Sequence, residues 1–260
     1  MIYLAPLFLE GDFVGRCVVQ AVFESGVFLP DLELWLDSTR KREFSLISHA
    51  HSDHTARHER PALTINTAKL LGDYLQKSTP ILLDYHEPFD SPEYIMTLHP
   101  AGHCLGSAQA LVESKETGEK LLYTGDIKSR PSPTNEPLEV VHCDTLVIEA
   151  TYGRPEYVFP PQQQVLETAF NTLRMWLSRG ERPIIQCWRL GKSQELLHHL
   201  LGEGFDVMLE ESIYLGTQVY LEAGVKFPGK VRMFEGLSLI HISEPTRPER
   251  IGGGGGGGGR

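Results

Sequence analysis

The stretch Phe44-Ser45-Leu46-Ile47-Ser48 leads straight into His49-Ala50-His51-Ser52-Asp53-His54. The first five residues read as a strand that delivers the chain to a loop. In extended backbone, residues two apart point the same way, so His49 and His51 can share one metal ion. Asp53 and His54 then turn the chain toward a second position. Imidazole nitrogens and carboxylate oxygens are the ligands a zinc site uses at neutral pH. A solvated loop has no need of three histidines and an aspartate in six residues.

Four groups on one short loop cannot close two metal sites, so further ligands must come from elsewhere. His103 lies in the glycine-punctuated turn His99-Pro-Ala-Gly-His103-Cys-Leu-Gly106-Ser107, between two expected strands. Asp126 closes Tyr123-Thr-Gly125-Asp126, at the end of an apolar strand. An aspartate after glycine is often only a turn residue, but the order of these motifs makes both residues candidates, and a carboxylate at Asp126 could bridge two ions. Asp37 ends the strand Leu34-Trp-Leu36 and is a candidate hydrogen-bond partner for a ligand histidine. On spacing alone, a plain turn aspartate fits there equally well.

In this order the motifs resemble the metallo-β-lactamase superfamily of hydrolases, over most of residues 30–130. The resemblance implies an α/β (α+β) fold, an αββα sandwich with metals at its edge. It implies two zinc ions, with manganese as an alternative. His49, His51 and His103 would bind one and Asp53 and His54 the other, with Asp126 between them. Asp53 would also be the catalytic orienter or proton acceptor of the nucleophile. Leu146-Val-Ile-Glu149-Ala-Thr-Tyr152-Gly153-Arg-Pro155 resembles the entry to the β-CASP nucleases, with Glu149 as the matching acidic residue. Arg189-Leu-Gly191-Lys192-Ser-Gln194-Glu195 resembles a turn of the same group. The likeness is greatest to bacterial DNA-ligase-associated exonucleases and mRNA 3′-end processing factor homologues, with eukaryotic cross-link-repair nucleases further off.

Gly191-Lys192-Ser193 is not a phosphate-binding P-loop, because Gln186 stands where that motif wants glycine. The turn still opens a helix, and helix N-termini bind anions. Lys192 is either a contact to substrate phosphate or a lysine on a solvated first turn. The expected activity is hydrolysis of nucleic acid by a metal-dependent phosphodiesterase, a DNA exonuclease in repair before an RNA-processing nuclease, with a functional link to a DNA ligase. The competing readings are a small-molecule thioester or lactone hydrolase and a scaffold that has lost its metals. The β-CASP group supplies later histidines, and residues 156–236 offer only His198 and His199. The second metal site is therefore expected to be incomplete and the chain as given poorly active. His58 lies four residues after His54 and could share a helical face with it, while His99, His142, His198 and His199 show no partner pattern; these five and His86 are assigned no metal role.

Around these motifs the first half reads as strands at Arg16–Phe23, Leu32–Leu36, Ile95–Leu98, Ala108–Val112, Lys120–Tyr123 and Thr145–Ile148, with a helix after Thr67. After Pro155 the texture changes to helices. One carries the stripe Val165, Leu166, Ala169, Phe170, Leu173, Trp176 and Leu177, closed by Gly180. A second starts at Lys192, flanked by strands at Pro183–Gln186 and Phe205–Leu209. The expected division is a metallo-β-lactamase part over 1–155, a partial β-CASP-like part over 156–236, and a tail over 237–260. The tail holds Ser238-Leu-Ile-His-Ile-Ser-Glu-Pro-Thr-Arg-Pro248 and an unbroken run Gly252–Gly259, and reads as a flexible linker or as a translated adapter sequence.

The 260 residues carry 24 Lys+Arg against 34 Asp+Glu, which argues against a general basic coat for nucleic acid. Without residues 237–260, which hold three Arg and two Glu, the balance is 21 minus 32, or −11, so the acidity does not come from the tail. Bound metals would supply local positive charge. Cys17, Cys104, Cys143 and Cys187 form no CxxC pair and read as reduced thiols. Met1–Leu9 lacks a basic leader region and reads as an early strand. No apolar run spans a bilayer, and a cytoplasmic location is expected.

Overall fold

The structure, a computed structural model, describes residues 2–4, 19–235 and 241–243. Arg16, Cys17 and Val18, the rest of Met1–Leu9, and most of the tail lie outside the described residues. The elements in chain order are β1 (Ile2–Leu4), β2 (Val22–Phe23), β3 (Val27–Leu29), β4 (Leu34–Leu36), β5 (Phe44–Leu46), β6 (Arg60–Thr64), α1 (Ile65–Leu71), β7 (Ile81–Leu83), β8 (Pro88–Asp90), β9 (Tyr94–Pro100), β10 (Ala108–Ser114), β11 (Lys120–Tyr123) and β12 (Thr145–Glu149). They continue with α2 (Gln162–Ser178), β13 (Ile184–Gln186), α3 (Lys192–Gly202), β14 (Met208–Leu209), α4 (Glu211–Glu222) and β15 (His241–Ser243).

Strands β2 to β7 form one six-stranded sheet in chain order, and β1-β12-β11-β10-β9-β8 form a second. Both present apolar faces to one core. Leu29, Leu34, Leu36 and Leu46 from the first sheet meet Met96, Leu98, Val112 and Leu121 from the second. Each fully buried leucine contributes about 1.5–3 kcal/mol. In β9 the buried residues are Tyr94, Met96 and Leu98, the two-residue period of a strand with one face inward. This puts Ile95, Thr97 and His99 on the outer face.

The strand ends position the site. β4, β5, β6 and β7 run parallel, so Asp37 and His49 leave neighbouring strands at the same edge. Open parallel sheets present ligand groups at the carboxyl ends of their strands. In the second sheet β9 and β11 both run antiparallel to β10, and β12 runs parallel to β11. Their carboxyl ends lead to His103, Asp126 and Glu149. The Ala108 N–H donates to the Ser48 carbonyl at 2.9 Å and ties the two edges together.

The helix expected after Thr67 starts earlier, at Ile65, because Thr64 is its cap and its hydroxyl accepts from the Thr67 N–H. The strand expected over Leu32–Leu36 is shortened by a 3-10 turn over Pro30–Leu32, whose exit residue Glu33 has φ 49°. The α2 stripe is narrower than its sequence spacing suggests. Phe170 and Leu173 are buried, while Val165 and Trp176 are exposed. In α3, Leu197, Leu200 and Leu201 face a second core shared with α2, α4 and β14. β15, inside the tail read as a flexible linker or translated adapter sequence, pairs in parallel between β13 and β14. Cys104, Cys143 and Cys187 are free thiols. Among the described residues, no helix is long and apolar enough to cross a membrane.

Candidate metal centre

Asp37 is the hub from which the site is built. It is buried, with φ 50°, a left-handed conformation that aspartate tolerates better than most residues. Its Oδ1 accepts the Ser48 N–H at 2.6 Å. Its Oδ2 accepts from the Ser48 hydroxyl at 2.5 Å, His54 Nδ1 at 2.8 Å and the Tyr123 hydroxyl at 2.9 Å. The Ser48 hydroxyl, with its proton committed to Asp37, accepts from His49 Nδ1 at 2.9 Å. These proton positions follow from the hydrogen-bond partners. They leave His49 Nε2 with a bare lone pair, while His54 Nε2 points away from Asp37 toward Asp126. On the far side, His51 Nε2 donates to the Leu190 carbonyl at 3.3 Å, which leaves His51 Nδ1 as an acceptor.

The bare nitrogens converge. His49 Nε2 is 2.9 Å from His51 Nδ1, and His103 Nε2 is 3.2 Å from the same atom. Asp126 Oδ2 lies 3.8 Å from His49 Nε2 and 3.6 Å from His103 Nε2. Two donors each about 2.0–2.1 Å from one tetrahedral zinc are roughly 3.3 Å apart. The observed separations bracket that value, so the four groups fit a single ion with little movement. The other Asp126 oxygen, Oδ1, is 3.4 Å from His54 Nε2. Asp126 thus faces His49 and His103 with one oxygen and His54 with the other. Gly125 makes this approach possible: its φ is 54°, and a Cβ there would stand 2.7 Å from Ser48 Oγ. Gly102, before His103, has φ 74°, and a Cβ would collide with the Lys128 carbonyl.

Charge follows burial and neighbours. Burial, then the surrounding rings, holds His49 well below the usual imidazole range. Burial also lowers His51, and it brings His103 down to about 4. These three imidazoles are neutral, the form that binds metal. Burial disfavours the charged form of His54 too, but Asp37 and Asp126 outweigh it and push His54 up to about 11. Asp126 is held below its ordinary value despite burial, through its hydrogen bond to His54. An ion bound beside His54 would displace its proton.

The expected site residues are not all drawn together. His49, His51, His103 and Asp126 form one group of mutually close donors, and Asp37, His49 and His54 form another. Asp53 joins neither group. Its side chain is 79% exposed, and its Oδ2 is 3.9 Å from His54 Nε2. Glu149 accepts from the Ile127 N–H at 3.3 Å and the Thr151 N–H at 3.0 Å, which braces the loop just after Asp126. Lys192 is exposed on the first turn of α3. That turn lies against the centre, since a Cβ on Gly191 would be 3.4 Å from the His103 carbonyl.

Sequence reading missed several supports. Ser48 and Tyr123 complete the Asp37 network, and no spacing rule marks them. Tyr220, fully buried in α4, accepts from the Leu105 N–H at 3.3 Å and the Gly191 N–H at 3.2 Å. It joins the His103 loop to the α3 turn across more than a hundred residues of sequence. Lys128 and Glu195 pair across the same junction at 2.5 Å.

No family model matches the chain. It is 40% identical over 211 residues to a "Probable DNA ligase" of Opitutus terrae, covering 79% of this chain and 20% of that protein. It is 33% identical over 168 residues to transcription termination factor FttA of Methanothermobacter thermautotrophicus, covering 64% and 24%. It is 29% identical over 160 residues to the DNA cross-link repair 1A protein of Mus musculus, covering 58% and 16%. The match spans about a fifth of the length of these curated relatives. A solved structure of a protein of unknown function from Enterococcus faecalis V583 aligns with TM-score 0.46 and 15% identity, over 76% of this chain and 54% of that one.

Proposed function

We propose, from the premise that this chain belongs with its relatives to the metallo-β-lactamase/β-CASP family, that it is the metal-site portion of a nuclease that hydrolyses phosphodiester bonds, with DNA as the substrate. The observation that carries the reading is the convergence of His49 Nε2, His51 Nδ1, His103 Nε2 and Asp126 Oδ2 at separations of 2.9–3.8 Å. Nucleic acid as the target is supported by the names of the relatives, which speak of DNA ligase, transcription termination and DNA cross-link repair. The first of these also supports a functional link to a DNA ligase. We read the two sheets as the family's sandwich and the helices after Pro155 as the beginning of its β-CASP part, in a cytoplasmic protein.

In this reading His49, His51 and His103 hold one divalent ion, zinc before manganese. His54 and Asp53 hold a second, and Asp126 lies between them. When bound, such ions supply Lewis-acid stabilisation of the phosphate and lower the pKa of water toward about 7. The chain's own residues do the rest. Asp37 fixes His54 and, through Ser48, His49. The Leu190 carbonyl fixes His51. Asp53, exposed at the mouth, accepts a proton from the attacking water as the new P–O bond forms and the ester P–O bond breaks. The departing alkoxide takes its proton from solvent. Because Asp53 stands apart from both donor groups, the second ion is held weakly, and the 260-residue chain turns over slowly.

The test uses the purified protein with zinc or manganese and end-labelled single-stranded DNA, RNA and a thioester. DNA shortening that disappears in Asp53→Ala is expected. Cleavage of the thioester alone, or DNA cleavage that persists in Asp53→Ala, would refute the reading. RNA cleaved in preference to DNA would select the RNA-processing alternative, which the name of an RNase J-like relative from Methanocaldococcus jannaschii favours.

A further inference from the structure

A second cluster of metal-ligating side chains shares no donor with the centre described above. His86 Nε2 lies 2.7 Å from Glu139 Oε2, and His99 Nδ1 lies 3.2 Å from Glu139 Oε1. One ligand atom from each of the three residues falls within 4.8 Å of the others. The two rings meet edge to face, with centroids 5.2 Å apart.

Each member is fixed by its own backbone. His99 sits on the outer face of β9, with its ring largely covered and Nε2 buried without a hydrogen-bond partner. The nitrogen it can offer a ligand is therefore Nδ1, the one facing the carboxylate. His86 holds φ 66°, a left-handed conformation that strains a non-glycine residue. Its N–H bonds the Leu98 carbonyl at 2.9 Å, one residue from His99. The Glu139 N–H donates to the Pro100 carbonyl at 3.1 Å, and its carbonyl accepts from Gln109 Nε2 at 2.8 Å. The segments carrying His86 and Glu139 are thus stitched to β9 and β10, with two imidazoles and a carboxylate pointing at one another.

We propose that His86, His99 and Glu139 form a separate, peripheral binding site for a divalent cation of the zinc class. Two imidazoles with one carboxylate are a donor set that suits zinc and its first-row neighbours, where water fills the remaining positions. His86 and Glu139 are 58% and 41% exposed, which leaves room for that water. The separation of 3.2 Å between His99 Nδ1 and Glu139 Oε1 is close to the roughly 3.3 Å that two donors to one tetrahedral ion require. The bound cation pins the segment carrying Glu139 against β9. Within that segment Asn135 donates to the Gly102 carbonyl at 2.9 Å, and Glu136 accepts from the Gly106 N–H at 3.1 Å. Occupancy therefore stiffens the loop that carries His103 from behind.

The test is equilibrium dialysis of the full chain against zinc alone, followed by elemental analysis and a thermal melt. His86→Ala and Glu139→Gln are expected each to hold one zinc fewer than the parent and to lose part of the zinc-induced rise in melting temperature. His142→Ala, an exposed histidine outside the cluster, keeps the parent's count. Because the readout is a difference between variants, it does not depend on how many ions the main centre takes. Equal zinc content in the parent and both cluster variants would overturn the proposal and leave the cluster a His–Glu–His hydrogen-bonded triad only.

Discussion

Replacing Asp37 by Asn probes the network beneath the metal centre. The carboxylate takes four hydrogen bonds, from the Ser48 N–H, the Ser48 hydroxyl, His54 Nδ1 and the Tyr123 hydroxyl, at 2.5–2.9 Å. An amide of the same shape can keep the Ser48 N–H on its oxygen, but it turns an NH2 toward the other three donors. Leaving a buried donor unsatisfied costs about 1–3 kcal/mol, and bonds to a charged group sit at the upper end. The Ser48 and Tyr123 hydroxyls can rotate to recover part of this. The net loss is therefore about 3–5 kcal/mol and not the sum of three full penalties. For a chain of this size 1 kcal/mol shifts the melting temperature by roughly 2–4 °C, so the variant is expected to melt about 10 °C lower. Its zinc affinity should also fall about 10–100-fold, because His54 and His49 lose what orients them. Urea unfolding at pH 7 in chelator measures the first effect, and competitive zinc titration measures the second. A stability loss under 1 kcal/mol with unchanged zinc affinity would refute the reasoning.

Three further outcomes follow from individual contacts. Gly125→Ala places a Cβ 2.7 Å from Ser48 Oγ on backbone of φ 54° and should cost about 1–3 kcal/mol; a melting temperature equal to the parent's would contradict this. Tyr220→Phe leaves the Leu105 and Gly191 N–H groups without an acceptor. It should destabilise the chain by about 2–3 kcal/mol in urea while keeping the donors of the metal centre, and a neutral result would mean the two loops are held by other means. His58 accepts the Arg42 N–H at 3.1 Å, and burial brings it down to about 4. Its neutral form stabilises the fold fully above pH 6.5, and that contribution disappears as pH falls through 4. With allowance for partial solvent access it is worth about 2 kcal/mol. In chelator, the fall in stability between pH 7 and pH 4 should be smaller by that amount in His58→Asn, and an identical pH profile would exclude the assignment.

The local parts of the fold were legible because their signals are local. The run from Phe44 to Ser48 is largely apolar and then breaks into histidines, so both β5 and the loop after it could be read directly. Lys120–Tyr123 and the Lys192 helix start were equally plain. β3, β6, β7, β8 and α4 were not identified. Their burial comes from partners distant in sequence, and β6 contains a proline, Pro61, that reads against a strand. The α2 stripe misled for a related reason: periodicity marks an apolar face but not how wide a surface is available to cover it. At the site, the histidines and Asp126 are singled out by residue type and the order of their motifs, and the structure brings His49, His51, His103 and Asp126 together. Asp53 stayed outside because a position two residues from His51 on a turn does not fix a direction as it does on a strand. Ser48, Tyr123, Tyr220 and Glu139 were illegible, since each acts only through a neighbour supplied by the fold.

The most direct measurement is a crystal structure of the zinc-soaked protein with anomalous data at the zinc edge. The expected result is a peak within about 2.0–2.2 Å of His49 Nε2, His51 Nδ1, His103 Nε2 and an Asp126 carboxylate oxygen. A well-ordered site with these four side chains in place and no anomalous peak among them would contradict the account.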